Sequence, residues 1–170
     1  MIYVDRVKPT FFLFTDASVY PQTNIGYGAY LLLAEYELEA PLSKLKVKTK
    51  KFKNTTSSKL ELQTLIWALS EVKFKKRKII IFTDCQNLIS LQDRRERIIK
   101  NNYMTKKNEL LRNHELYKKF YALVKHNECD FVKVKGHKKT QDKDLVDNLF
   151  TLVDRASREA LRYFLTKKTS

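Results

Sequence analysis

The sequence predicts an α/β fold in which a mixed five-stranded sheet, part antiparallel meander and part parallel, is flanked by helices. Three observations carry this reading. Three strand-like segments follow one another before any helical pattern begins. Two later apolar runs are each reached through an amphipathic stretch, and strand–helix–strand connections imply parallel pairing. The chain of 170 residues is 43% hydrophobic with only three Gly and three Pro, so it can bury a sizeable core and shows no linker. Residues 1–170 are expected to form one domain.

The first strand is residues 11–15, the apolar run Phe11-Phe12-Leu13-Phe14 with Thr15. The second spans 27–33, loosened at its start by Gly26 and Gly28. Residues 44–50 alternate strictly, with Leu45, Val47 and Thr49 on one face and lysines on the other, which predicts a half-buried antiparallel strand with a basic outer face. The period then changes. Leu62, Leu65, Ile66, Leu69 and Val72 are spaced as the inner face of a helix, and cations at 75–78 suit its end. Residues 79–83 return to strand. A helix is predicted from about 86 to 100, then a polar irregular segment over 101–109 and a helix over about 113–126. The last strand is predicted at 131–135. A basic loop and a final helix from about 145 to beyond 161 complete the order.

Lys plus Arg number 34 against 19 Asp plus Glu, a net charge of +15 with a pI near 9.8. Such an excess points to a polyanionic partner, nucleic acid before all others. An anionic membrane surface is the rival, but no long helix opposes a basic face to an aromatic one. A merely solvated basic surface is the plain alternative. No apolar stretch approaches the roughly 20 residues of a membrane span, and no signal-peptide pattern opens the chain. Cys85 and Cys129 are too few for a disulfide framework or a zinc cluster. A soluble, cytoplasmic protein is expected.

The chemistry lies in the carboxylates. Phe14-Thr15-Asp16 and Phe82-Thr83-Asp84 end two apolar runs identically. One Asp after a strand is usually a turn former or helix cap. Two in the same context, on neighbouring strands, form a paired acidic site that needs a cation. Glu61 opens the first helix. Ser58-x-x-Glu61 is a capping-box pattern, yet Glu61 stands at helical intervals from Leu65, Ala68 and Leu69. That spacing turns it inward, where a carboxylate needs a partner or a metal. In the final helix Asp154 shares an inward stripe with Phe150, Ser157 and Leu161, and Asp147 lies two turns earlier on a similar face. The small neighbour Ser157 favours Asp154, with Asp147 as the competitor. Lys135-Gly136-His137 places a histidine in a basic loop, suited to proton transfer or phosphate contact. His114 and His126 carry no such signal.

These residues, in this order, resemble type 1 ribonuclease H. The resemblance runs through Thr15-Asp16-Ala17-Ser18, Tyr27-Gly28-Ala29, Thr56-Ser57-Ser58-Lys59-Leu60-Glu61-Leu62, Thr83-Asp84-Cys85-Gln86, Val134-Lys135-Gly136-His137 and the final acidic helix. It implies the ribonuclease H-like fold. It further implies an endonuclease that hydrolyses the RNA strand of RNA–DNA hybrids and leaves 5′-phosphates, acting as a monomer. Two Mg²⁺ ions, with Mn²⁺ as a substitute, would be held by Asp16, Glu61, Asp84 and Asp154, with Asp16 bridging them and His137 assisting proton movement. Ser18, Ser57, Ser58 and Gln86 would contact the substrate, while the lysine-faced strand at 44–50 and the basic segment 94–112 would grip phosphates. The family's last Asp often falls at the spacing of Asp147, so assigning Asp154 takes an insertion here. A DNA nuclease or resolvase on the same fold, and a binding module without catalysis, are the alternatives.

Overall fold

The computed structural model describes residues 8–135 and 144–168. Five strands form one sheet in the order β3-β2-β1-β4-β5. They are β1 (Phe11–Tyr20), β2 (Ile25–Ala34), β3 (Lys48–Phe52), β4 (Lys78–Thr83) and β5 (Glu128–Lys133). The first three are an antiparallel meander, and β4 and β5 run parallel to β1. The helices are α1 (Ser57–Glu71), α2 (Gln86–Asp93), α3 (Arg95–Lys100), α4 (His114–Val124) and α5 (Leu145–Lys168). The mixed sheet, its strand directions and the element order are those the sequence predicts.

Side-chain alternation along β1 divides the core in two. Leu13 faces α1, α2 and α4 and packs with Leu65, Ile79, Ile81 and Phe120. Phe14, one residue on, faces α5 and packs with Leu31, Phe82, Leu149 and Val153. Gly28 lets α1 settle onto β2, because a Cβ there would lie 2.1 Å from the Thr64 hydroxyl oxygen. That close approach brings the start of α1 down beside β1.

Four boundaries differ from expectation. β1 continues to Tyr20, paired with β2 throughout, whereas its pairing with β4 stops at Phe14↔Phe82. Asp16 is therefore inside a strand and not at its end. The third strand is Lys48–Phe52, because Leu42–Lys44 form a 3₁₀ turn after Pro41. Leu45 and Val47 still pack against the core beneath α5, but from outside the ladder. The predicted helix over 86–100 is broken at Arg94, whose guanidinium Nε donates to the Ser90 carbonyl at 3.1 Å. The break lets Leu88, Leu91 and Ile98 all reach the same core. The last strand lies earlier than 131–135, in register with β4 from Lys78↔Glu128 to Thr83↔Lys133. As an edge strand it exposes Glu128 and Asp130, which hid its first half from a hydrophobic reading.

Candidate active site

From Thr15 onward β1 has β2 on one side and no strand on the other, since β4 has ended. Side chains from both layers meet in this gap. Asp16 comes from β1, Glu61 from α1 and Asp84 from the turn after β4, where the Cys85 amide donates to the Thr83 hydroxyl at 3.1 Å. One carboxylate oxygen from each lies within 4.8 Å of the others. Asp16 and Glu61 are only 6% and 8% exposed, while Asp84 faces solvent. Asp154 approaches from α5 and lines the same cleft, of about 620 Å³, with its Oδ1 accepting from Arg158 Nε at 2.7 Å.

Burial dominates the electrostatics. It raises the Asp16 carboxyl to about 7, with Asp84 and Asp154 adding to the rise and a hydrogen bond from Ser157 opposing it. That bond runs from Ser157 Oγ to Asp16 Oδ2 at 2.8 Å and is buried. Burial likewise raises Glu61 to about 9, reinforced by Asp16 and Asp84 and opposed by the Ala17 amide. Glu61 Oε2 is buried with no hydrogen-bond partner among the described residues. A buried acceptor aimed at two further carboxylates is a site built for a cation. Every donor in the cluster is a hard carboxylate oxygen, which suits a divalent ion such as Mg²⁺ or Mn²⁺. Cys85 lines the cleft, and burial raises its thiol above the ordinary value, which disfavours the thiolate form.

The structure separates the sequence candidates. Glu61 is not in a capping box. Thr56 is the N-cap of α1, so Ser58 already lies inside the helix and its spacing to Glu61 closes no cap. Asp147 is in one instead. Its Oδ2 accepts from the Asp144 amide at 3.2 Å, and its own amide donates to Asp144 Oδ1 at 2.9 Å. Ser18, Ser57 and Ser58 line the cleft. Gln86 does not; its Oε1 accepts from Lys133 Nζ at 2.8 Å. The neighbouring Asn87 lines the cleft in its place, its Nδ2 donating to Ser58 Oγ at 3.4 Å. His137 lies outside the described residues. Leu161, which the sequence places on the Asp154 stripe, lines the cleft along α5 together with Arg158, Arg162 and Leu165, which the sequence reading missed. The signal for the three arrives by the same spacing, since they fall with Leu161 on one helical stripe with Asp154.

The family model for RNase H matches residues 8–157 of this chain. The ribonuclease H of Clostridium botulinum strain Hall is 29% identical over 131 residues, covering 75% of this chain and 82% of that protein. Among solved structures, the PFV RNase H domain superposes with a TM-score of 0.66 at 14% identity, covering 89% of this chain and 93% of that one. LC9-RNase H1, a type 1 RNase H with the type 2 active-site motif, gives 0.63 at 15% identity, covering 92% and 74%.

Proposed function

The chain belongs to the ribonuclease H family, and from that premise we propose that Asp16, Glu61, Asp84 and Asp154 hold two Mg²⁺ ions with which it cuts the RNA strand of RNA–DNA hybrids. The family activity is metal-dependent phosphodiester hydrolysis. The observation that carries the assignment is the buried Glu61 oxygen with no hydrogen-bond partner among the described residues, in a carboxylate that clusters with Asp16 and Asp84. Bound divalent ions would activate the attacking water and stabilise the leaving oxygen. The chain's own residues supply the rest. Asp16 is the most central carboxylate, and Ser157 fixes its rotamer and favours its ionised form. Asp84, open to solvent, meets the incoming phosphate side. Ser57, Ser58 and Asn87 stand at the rim, where short polar side chains can read a 2′-hydroxyl. His137 is proposed to aid proton movement. All four acids come from one sheet, the turn after its fourth strand and two helices of the same chain, which suits one domain acting as a monomer. Among the described residues no helix is long and apolar enough to cross a membrane, and we place the activity in the cytoplasm.

Incubation with labelled RNA–DNA hybrid, duplex DNA and duplex RNA, each with Mg²⁺, Mn²⁺ or chelator, tests this reading. Metal-dependent cutting confined to the RNA strand of the hybrid is expected, and Asp16→Asn and Asp84→Asn should each abolish it while the hybrid still binds. Near-full activity in either variant would remove the metal-site assignment.

A further inference from the structure

The cleft does not stop at the carboxylates. It continues along α5 between Val19 and the pair Leu161 and Leu165, with Arg162 on its wall. Arg158, one turn earlier, is committed to Asp154. Arg162 has no acidic partner among the described residues, although it borders a cleft that holds four acids. A cation left unpaired beside carboxylates is available to an anion that arrives from outside. The helix end that carries it is also held in place. Phe164 packs between Tyr27 at 6.1 Å, centroid to centroid, and the Lys51 ammonium, 3.6 Å above its ring. Tyr27 and Lys51 are cross-strand partners on β2 and β3, so the clasp is part of the sheet. The backbone that carries Arg162 is therefore held in place, while its side chain is exposed.

A polar cleft that passes from acids to an apolar strip beside a cation with no acidic partner among the described residues fits a strand backbone, in which sugars alternate with phosphates. Resting on the hybrid-cleavage reading above, we infer that Arg162 binds a phosphate of the cleaved strand next to the scissile one, with the intervening sugar lying against Val19, Leu161 and Leu165. This adds a substrate-binding residue on the α5 side of the site, opposite the rim formed by Ser58 and Asn87.

The test uses the full chain and a labelled hybrid. Arg162→Gln should raise KM roughly tenfold, the scale of one lost charge-assisted contact, with kcat changed less than twofold. In Asp84→Asn protein, adding Arg162→Gln should make the plot of log binding constant against log salt shallower by about 0.9, the loss of one phosphate contact. Lys167→Gln removes the same charge from the same end of α5, but its ammonium lies over Tyr163 and outside the cleft, so it should move neither quantity appreciably. Neutral methylphosphonates placed one at a time along the RNA strand should identify one position that weakens the unaltered protein and not Arg162→Gln. Equal sensitivity of the two proteins at every position, or an effect of Lys167→Gln as large as that of Arg162→Gln, would overturn the inference. Failure of the unaltered protein to cut hybrid at all would instead sink the functional reading on which it rests.

Discussion

Replacing Glu61 by Gln should make the metal-free protein more stable, and the gain should grow with pH. The buried carboxyl keeps its proton up to about 9, whereas its ordinary value is 4.5. A folded value above the unfolded one means that the folded state binds the proton more tightly. The associated stability is fully present below the unfolded value and is lost as pH rises towards the folded one. Each pH unit in that window costs about 1.4 kcal/mol. At pH 7 the penalty carried by Glu61 is therefore roughly 3 kcal/mol, and at pH 5 roughly 0.8 kcal/mol. Gln keeps the shape and the acceptor for the Ala17 amide, and its NH₂ can donate to the Asp16 and Asp84 carboxylates. It has no proton to retain. For a chain of this size each kcal/mol moves Tm by about 2–4 °C, so the variant should melt roughly 6–12 °C higher at pH 7 and only about 2 °C higher at pH 5. Thermal unfolding followed by circular dichroism, with EDTA present at both pH values, measures this directly. Excess Mg²⁺ or Mn²⁺ should then stabilise the unaltered protein and do much less for the variant, which has lost a ligand. A variant no more stable than its parent at pH 7 in EDTA, or a gain that is the same at both pH values, would refute the reasoning.

Two further outcomes follow from single contacts. Ser157→Ala removes the hydrogen bond that favours ionised Asp16, so Asp16 should titrate above about 7. The metal concentration for half-maximal cleavage should rise about tenfold, as for other residues that support a ligand, and the acid limb of the pH–rate profile should move to higher pH. An unchanged metal requirement would show that the bond is incidental. Asp147→Asn should lower stability by about 1 kcal/mol through the loss of its carboxylate cap and leave cleavage nearly intact, whereas Asp154→Asn should reduce cleavage by at least about a hundredfold with little change in Tm. A melting curve and a hybrid assay on both variants decide between them, and the reverse pattern would move the fourth ligand to Asp147.

Much of the sheet was legible because its central strands are constrained on two faces. The twin Phe-Thr-Asp endings were informative for a geometric reason that the pairing now supplies. β1 and β4 are parallel with Phe14 opposite Phe82, so an Asp two residues further on in each chain segment falls at the same level. What the repeat could not convey is the difference between the two acids. β2 extends β1 past Asp16 and buries it, while the chain turns away at Asp84 and leaves it in solvent. The edge strands β3 and β5 were misplaced by a few residues because one side of each is free, and hydrophobic pattern constrains them weakly. Arg162 was hidden for a related reason. In a chain of +15 a single cation carries no signal, and only its place on the Asp154 stripe distinguishes it.

The fourth acid shows where periodicity runs out and a local rule takes over. Asp147 and Asp154 are seven residues apart, close to two full turns, so both fall on one stripe and helical spacing cannot choose between them. Their separation along the axis does, at about 10 Å. Asp154 lies level with the gap beside β1 where Asp16 waits. Asp147 lies in the first turn, whose amides have no partners within the helix and draw in a nearby carboxylate. The sequence contained that instruction as Asp144-x-x-Asp147, an acidic variant of the pattern that Ser58-x-x-Glu61 displays. The two look alike on paper and have opposite fates, because Thr56 starts α1 two residues before Ser58 and leaves Glu61 past the reach of any cap. Freed from capping, Glu61 is buried against Asp16. Held by capping, Asp147 is withdrawn from the cleft, and Asp154 is the α5 acid that lines it.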